Sequence, residues 1–261
     1  MNIRSHPMKI AVIGGTGLIG SLVVDVLNQA GHEAVPHSPS TGVDAFTGQG
    51  LDEALSGIEV VVNLTDAPTF DAAAITFFGT TMTNLVNAAE RTGVKHIVVL
   101  SIVGADEVPD LVYYRAKVLQ EEIVKAGPVP YSIVRATQFF EFIDAVTSWT
   151  ADENTVRLPA TLIQPMAAAD VGKAVAEVCV GPPLYGTRNV AGPEVFTLDE
   201  LGKLALAARA DRRTVVTDNS AGTFAAVHGD ALTSAKKGAR IAATRYADWL
   251  KETVCLRNVP G

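Results

Sequence analysis

Short apolar runs alternate with longer stretches of helical periodicity along the first half of this 261-residue chain. The apolar runs predict buried strands at residues 10–13, 32–37, 42–46, 58–65 and 94–100. Between them, apolar positions three and four residues apart predict helices at 18–30, 51–56 and 71–92. Strands that alternate with helices in this way specify an α/β fold, a doubly wound parallel sheet of the Rossmann type with right-handed crossovers.

The alternation continues to about residue 150 and then changes. The first part also contains a predicted helix at 112–126 and a predicted strand at 131–135. After residue 150 the pattern predicts short strands at 155–158, 188–191 and 214–218, and helices at 170–179, 198–208 and 243–253. Asp170 is expected to be a helix N-cap, and Thr197 with Glu200 forms a capping box. We therefore expect a core at 1–150 and, within one structural unit, a smaller α/β substrate lobe at 151–261 along the carboxyl edge of the sheet.

A glycine turn joins the first strand to the first helix. Gly15, Gly17 and Gly20 fit G-x-G-x-x-G, and Gly14, Gly17 and Gly20 fit a wider spacing. The first glycine permits a tight turn, the middle one lets a pyrophosphate approach, and the last lets the helix pack closely. The alternative is a turn that binds nothing, but the strand and helix around it favour nucleotide binding. The predicted pyrophosphate contacts are Gly14, Thr16, Gly17, Leu18, Ile19 and Gly20.

The residues that discriminate NAD from NADP should lie about 20 positions further on, at the end of the second strand. His37, Ser38 and Ser40 occupy that window, and no carboxylate is present there to accept the ribose 2′-hydroxyl. The window mildly favours NADP(H) over NAD(H), although a polar loop without ribose contacts is the alternative. The carboxyl end of the next buried strand, residues 64–67, is also expected to pass close to the cofactor, with Leu64 and Thr65 as its predicted contacts.

Charge and composition exclude several other classes. The net charge of −7 argues against a nucleic-acid partner, which requires a basic face. No apolar run reaches the roughly 18 residues of a membrane span, and the start MNIRSHP lacks the centre of a signal peptide, so a cytoplasmic protein is expected. Met8 is an alternative start, which would make residues 1–7 an extension. Cys179 and Cys255 are expected to be buried thiols, and no histidine spacing indicates a metal site.

Tyr113 and Lys117 are the residues that most clearly suggest catalysis. Their spacing of four places both on one face of a helix, where an ammonium would lower the pKa of the phenol. Such a phenol can give a proton to a carbonyl that receives hydride, and Ser101, at a strand end, can hydrogen-bond the same oxygen. The alternative is an incidental tyrosine and lysine on an exposed helix.

The segments GGTGLIG, Ser101 and YYRAK together resemble the short-chain dehydrogenase/reductase superfamily. The wider glycine spacing, the stretch IVRATQFFEF and the small C-terminal lobe resemble its atypical, NmrA-like NAD(P)-binding branch. The resemblance implies that Tyr113 is the catalytic acid, that Lys117 binds the nicotinamide ribose, and that Ser101 polarises the carbonyl. It also implies that Asp44 lies near the adenine and that Ala136, Thr137 and Phe139 lie near the nicotinamide. Ile102 follows Ser101 where many relatives carry a second serine.

Three functions are consistent with these features. The first is an oxidoreductase that transfers hydride between NAD(P) and a small carbonyl or quinone-like substrate. The second is an NAD(P)(H)-sensing regulator that binds a protein partner without turnover. The third is an epimerase or dehydratase with a tightly held nicotinamide. The Tyr–Lys spacing favours the first, and the missing second serine leaves room for the second.

Overall fold

The computed structural model describes residues 7–234 and 238–257, so the question of an extension at 1–7 and the side chain of Cys255 lie outside what it describes. By their internal contacts the residues form two units. The first contains the chain up to Arg135 together with Val171–Arg188, and the second contains Ala136–Asp170 and the chain from Asn189 onward. The expected boundary at residue 150 falls inside the second unit.

Eleven strands are found in the described residues: β1 (Lys9–Ile13), β2 (Glu33–His37), β3 (Val60–Asn63), β4 (His96–Ile102), β5 (Tyr131–Ala136), β6 (Thr155–Leu158), β7 (Leu162–Ile163), β8 (Thr187–Ala191), β9 (Phe196–Thr197), β10 (Thr214–Thr217) and β11 (Arg240–Ile241). The helices are α1 (Leu18–Gln29), α2 (Leu51–Leu55), α3 (Ala73–Thr92), α4 (Val112–Ala126), α5 (Ile143–Trp149), α6 (Ala168–Val180), α7 (Leu198–Ala208) and α8 (Tyr246–Arg257).

Seven strands form one parallel sheet in the order β11-β8-β5-β4-β3-β1-β2, which confirms the predicted doubly wound α/β fold. The apolar runs explain the sheet, because the residues of β1 from Ile10 to Ile13 are at most 1 % exposed. From β1 the chain passes to β2 on one side and then crosses to β3 on the other. The carboxyl ends of β1 and β3 therefore flank the point where the strand order reverses, which is where open α/β sheets bind ligands.

The second unit contains two small two-stranded sheets. β6 and β10 pair in parallel, and β7 and β9 pair antiparallel. The capping box of Thr197 and Glu200 at the start of α7 is confirmed. Asp170 is not an N-cap, because α6 already begins at Ala168, and the Asp170 carboxylate instead accepts the backbone N–H of Thr244.

One predicted strand is wrong. Residues 42–46 form a turn, in which Asp44 is joined to Gln49 only by an isolated bridge. The Asp44 carboxylate accepts the backbone N–H groups of Phe46 at 2.8 Å and Thr47 at 3.4 Å, and Gly42 has a left-handed φ of 89°. This local hydrogen bonding is available to aspartate and competes with strand pairing. The first hundred residues therefore contribute four strands rather than five.

Two further expectations concern the cysteines and membrane-spanning helices. Cys179 is free and fully buried, as expected, and its burial raises the pKa of the thiol. Among residues 7–234 and 238–257, no helix is both long and apolar enough to traverse a lipid bilayer.

Candidate functional site

The first two glycines of the turn are held by the ends of neighbouring strands. Gly14 has a φ of 80°, and a Cβ there would lie 2.7 Å from the carbonyl oxygen of Leu64. A Cβ on Gly15 would lie 2.6 Å from Cα of Pro36. Both N–H groups donate to the carbonyl oxygen of His37, at 2.9 and 3.1 Å. The turn therefore requires glycine at these positions for steric reasons alone.

The other two glycines differ in the space around them. A Cβ on Gly20 would lie 2.1 Å from the oxygen of Gly14, so only glycine lets α1 pack this closely on the turn. Gly17 is the N-cap of α1, with an extended backbone, and a Cβ there would meet only the Gly14 oxygen, at 3.3 Å. Gly17 is therefore not required by packing, and the space beside it is open to a ligand.

The N-terminus of α1 has the properties of an anion site. No side chain of the described residues caps this terminus, and no acidic residue lies in the first turn of the helix. The N–H groups of Leu18 and Ile19 precede the first i→i−4 bond within the helix and point out of its positive end. Thr16, Gly17 and Leu18 are exposed, as a contact surface for phosphate requires, whereas the side chain of Ile19 is buried and only its backbone is available. The residues present thus fit a dinucleotide pyrophosphate.

The window after β2 forms a compact polar turn. Ser38 is buried, and its hydroxyl lies 2.8 Å from the hydroxyl of exposed Ser40. Partial burial lowers the pKa of His37, which therefore adds no fixed positive charge for a 2′-phosphate at neutral pH. Ser40 is consequently the hydroxyl best placed to meet a ribose substituent.

The end of β3 is fixed by Asn63, which sequence reasoning missed. Its side-chain oxygen accepts both the N–H of Thr65, at 3.1 Å, and the Thr65 hydroxyl, at 2.8 Å. The N–H of Leu64 donates to Ile13 at 2.8 Å, so Leu64 and Thr65 lie directly beside the glycine turn. An asparagine at the end of a buried apolar strand was the available signal.

Tyr113 lies on α4 as predicted, but its hydroxyl donates to Asp66, which follows Thr65. The phenol ring is half-buried and packs against Phe70 and Phe78, with ring centroids 5.1 and 5.5 Å apart. Burial raises the pKa of Tyr113, and the negative charge and hydrogen bond of Asp66 raise it further. Asp66 lies in the segment 64–67 that was expected near the cofactor, but sequence reasoning did not single it out or predict its bond to Tyr113.

Lys117 shares a helix face with Tyr113 and has different partners. Its amine donates to the Leu100 carbonyl at 2.7 Å and to the side-chain oxygen of Gln120, and it stands 4.5 Å above the centre of the Phe78 ring. Full burial lowers the pKa of Lys117 to about 8. In this arrangement the phenol of Tyr113 faces a carboxylate, and the amine of Lys117 is engaged elsewhere.

Ser101 is buried, and its hydroxyl donates to Glu121 at 2.6 Å. Glu121 also receives two hydrogen bonds from Arg135, both at 2.8 Å, and an ion pair from Lys125. Burial by itself would raise the pKa of Glu121, but the hydrogen bonds from Arg135 and Ser101 outweigh it and lower that pKa. The structure therefore places Ser101 in a charged network that fastens α4 to β4 and β5.

The three remaining predicted contacts belong to the second unit. Ala136 ends β5, and Phe139 forms an isolated parallel bridge with Met166. Thr137 is buried, its N–H donates to Val190 at 3.1 Å, and its hydroxyl has no hydrogen-bond partner within the described residues. Among all the residues that the structure describes, no group of three or more histidine, cysteine, aspartate or glutamate side chains is arranged to hold a metal ion.

A family model described as NAD(P)H-binding matches residues 14–180, beginning at the first glycine of the turn. The match covers more than half of the chain. The protein belongs to this NAD(P)H-binding family. The matched residues include the glycine turn, α1 and the strands β2 and β3 on either side of β1.

A Ycf39-like relative fits the atypical branch that the sequence resembles, and a second curated relative is similar over more of the chain. Prestalk A differentiation protein A of Dictyostelium discoideum is 25% identical over 78% of this chain and 70% of its own length. Photosystem II assembly factor Ycf39 of Synechocystis is 25% identical over 57% of this chain. The matched region spans about half (53%) of the length of that relative.

Solved structures share the fold. UDP-N-acetylglucosamine 4-epimerase from Bacillus cereus has a TM-score of 0.72 at 19% identity and covers 97% of this chain and 98% of its own. A short-chain dehydrogenase/reductase superfamily protein from Agrobacterium tumefaciens, with bound NAD, has a TM-score of 0.70 at 17% identity, covering 95% and 97%. The dTDP-4-dehydrorhamnose reductase from Bacillus anthracis, in complex with NADP, has a TM-score of 0.66 at 17% identity, covering 84% and 88%.

Proposed function

We propose that the protein is an NAD(P)-dependent oxidoreductase that transfers hydride between the nicotinamide and a small substrate with a carbonyl or quinone-like group. The observation that carries the proposal is the position of Tyr113. Its hydroxyl reaches Asp66, just beyond β3, and therefore lies at the same carboxyl edge as the glycine turn after β1. A phenol at that edge can exchange a proton with an oxygen whose carbon exchanges hydride.

In this proposal, different groups of the chain bind the cofactor and exchange the proton. The N–H groups of Leu18 and Ile19 bind the pyrophosphate, and Ser40 contacts the adenine ribose, with a mild preference for the 2′-phosphate of NADP(H) because no carboxylate repels it. The cofactor supplies the hydride chemistry when it is bound. Tyr113 holds or accepts the proton at the substrate oxygen, while Phe70 and Phe78 shield that phenol from water.

The decisive experiment measures NADPH oxidation against ketones, aldehydes and quinones with the parent, Tyr113→Phe and Lys117→Met. Tyr113→Phe keeps the ring, so cofactor binding should persist while turnover falls ~10²-fold or more, as loss of a general acid requires. Turnover that survives in Tyr113→Phe would contradict the role of the phenol and would fit direct hydride transfer to a quinone.

A cofactor-sensing regulator is the second candidate, and one observation favours it. The Lys117 amine is bound to the Leu100 carbonyl and to Gln120, and within the described part of the chain no positive charge lowers the pKa of Tyr113. The names of the two curated relatives refer to differentiation and to assembly of a photosystem. Tight NADPH binding by a parent that turns over no member of the panel would favour this candidate.

A further inference from the structure

The hydrogen bond between Tyr113 and Asp66 has a fixed direction. An ionised carboxylate can only accept, so the single phenol proton points to Asp66. The phenol oxygen then has only lone pairs left for a ligand and must accept a hydrogen bond from it. In this state Tyr113 is complementary to a substrate hydroxyl, and it can donate to a carbonyl oxygen only when Asp66 carries a proton that replaces its own.

The groups around Tyr113 leave Asp66 as its proton partner. Among the described residues, the charged or titratable groups that act on the phenol are Asp66 and the neighbouring Tyr114, and the ring of Phe70 packs against it at a tilt while that of Phe78 makes a T-shaped contact. Lys117 feels the charge of Asp66, but its amine is held by the Leu100 carbonyl and Gln120. Asp66 is exposed and can exchange protons with water, which a relay to solvent needs.

We propose that Asp66 is the proton acceptor behind Tyr113 and that the substrate's reduced form is an alcohol. The proposal rests on the oxidoreductase function proposed above. As the carbinol carbon loses hydride to the oxidised nicotinamide, the alcohol O–H bond breaks and its proton joins the Tyr113 oxygen. The phenol proton passes to the Asp66 carboxylate at the same time, so that the products are a carbonyl compound, reduced nicotinamide, neutral Tyr113 and protonated Asp66.

The pair itself can be tested without a substrate. In protein labelled with ¹³Cζ-tyrosine, the Tyr113 resonance is the one that Tyr113→Phe removes. At neutral pH we expect Asp66→Asn to shift this resonance, Asp66→Glu to leave it near the parent position, and Asp110→Asn to leave it unchanged. Asp110 is an exposed carboxylate three residues before Tyr113 and serves as the matched control. An Asp66→Asn spectrum identical to that of the parent would overturn the proposal.

The relay is tested by oxidation of small primary and secondary alcohols with NADP⁺ and NAD⁺. The amide of Asp66→Asn still accepts a hydrogen bond but takes no proton, so kcat should fall ~10²-fold or more while the Kd of NADP⁺ is unchanged. Asp66→Glu should restore turnover, and a purely structural role would show no such difference between Asn and Glu.

The two proposals fail in different ways. Full activity of Asp66→Asn alongside an inactive Tyr113→Phe would overturn the relay and leave the oxidoreductase intact. A parent that oxidises no alcohol and reduces no carbonyl or quinone would count against the oxidoreductase, and against the relay with it.

Discussion

Gly17 and Gly20 allow cofactor binding to be separated from stability within one motif. Gly17→Val places a branched side chain at the N-cap of α1, where the backbone φ of −78° and ψ of 178° suit any residue. Its Cβ meets only one oxygen, at 3.3 Å, so the loss of stability should stay within the roughly 1 kcal/mol typical of N-cap changes. Gly20→Ala instead brings a Cβ to 2.1 Å from the Gly14 oxygen, which forces the helix or the turn to move.

The two variants are expected to lose different properties: Gly17→Val should lose affinity for the cofactor, and Gly20→Ala should lose stability. Gly17→Val should deny the pyrophosphate the N–H groups of Leu18 and Ile19. Hydrogen bonds to a charged group contribute ~1.5–3 kcal/mol each, so losing two weakens binding by roughly 10²-fold to 10⁴-fold. Gly20→Ala should cost about 1–3 kcal/mol of stability, as overpacking does, and lower Tm by about 2–4 °C for each kcal/mol.

The assay is calorimetric titration with NADPH, combined with thermal unfolding of the parent and both variants. We expect Gly17→Val to unfold near the parent Tm with little or no NADPH binding, and Gly20→Ala to unfold earlier. If Gly17→Val binds NADPH as tightly as the parent, the N-terminus of α1 is not the pyrophosphate site. If Gly20→Ala is as stable as the parent, the close approach to Gly14 does not constrain the fold.

Three more predictions address single contacts. Ser40→Asp should shift the preference toward NADH, by adding an acceptor for the ribose and repelling a 2′-phosphate; a parent that already binds NADH tenfold (about 1.4 kcal/mol) tighter would contradict this. Burial lowers the pKa of Lys117 to about 8, below the ~10.4 of a lysine in the unfolded chain, so between these pH values the unfolded state binds more protons than the folded state. The free energy of unfolding of the parent should therefore rise from pH 8 to 10 relative to that of Lys117→Met, which urea unfolding would measure. Glu121→Gln should cost roughly 3–5 kcal/mol in the same assay, because the Glu121 side chain is fully buried and its change leaves the partly buried guanidinium of Arg135 without its main anionic partner. Asp52→Asn, in an exposed ion pair, should cost under about 1 kcal/mol, and equal costs would refute the role of burial.

The glycine turn and the longest elements were predictable because each depends on a strong local constraint. The helical periodicity at 112–126 corresponds to α4 at Val112–Ala126, and the tasks assigned to Gly14 and Gly20 reappear as a positive φ and a forbidden Cβ. The strand expected at 42–46 was wrong because five residues are too few for periodicity to decide. At that length the carboxylate of Asp44 determines the conformation by bonding its own backbone.

The partners of the polar side chains could not be read from the chain. Tyr113 bonds a residue 47 positions away, and Ser101 bonds one 20 positions away. Helical spacing showed that Tyr113 and Lys117 share a face, but a shared face does not decide where each side chain ends. That depends on which buried acceptors lie within reach, here the Leu100 carbonyl for Lys117.

The contrast between local backbone constraints and distant side-chain partners explains why the class of cofactor can be inferred from the fold more directly than the reaction can. The proposed pyrophosphate site consists of backbone groups, whose geometry is set once glycine permits the turn and α1 begins without a side-chain cap among the described residues. The chemistry depends on the proton partner of one phenol, and a change of partner from amine to carboxylate reverses its role. Beside an ammonium, Tyr113 would be a proton donor to a carbonyl. Beside Asp66, the proposed relay makes it the acceptor of an alcohol proton, and Asp66 is therefore the residue on which an assignment of the reaction depends most.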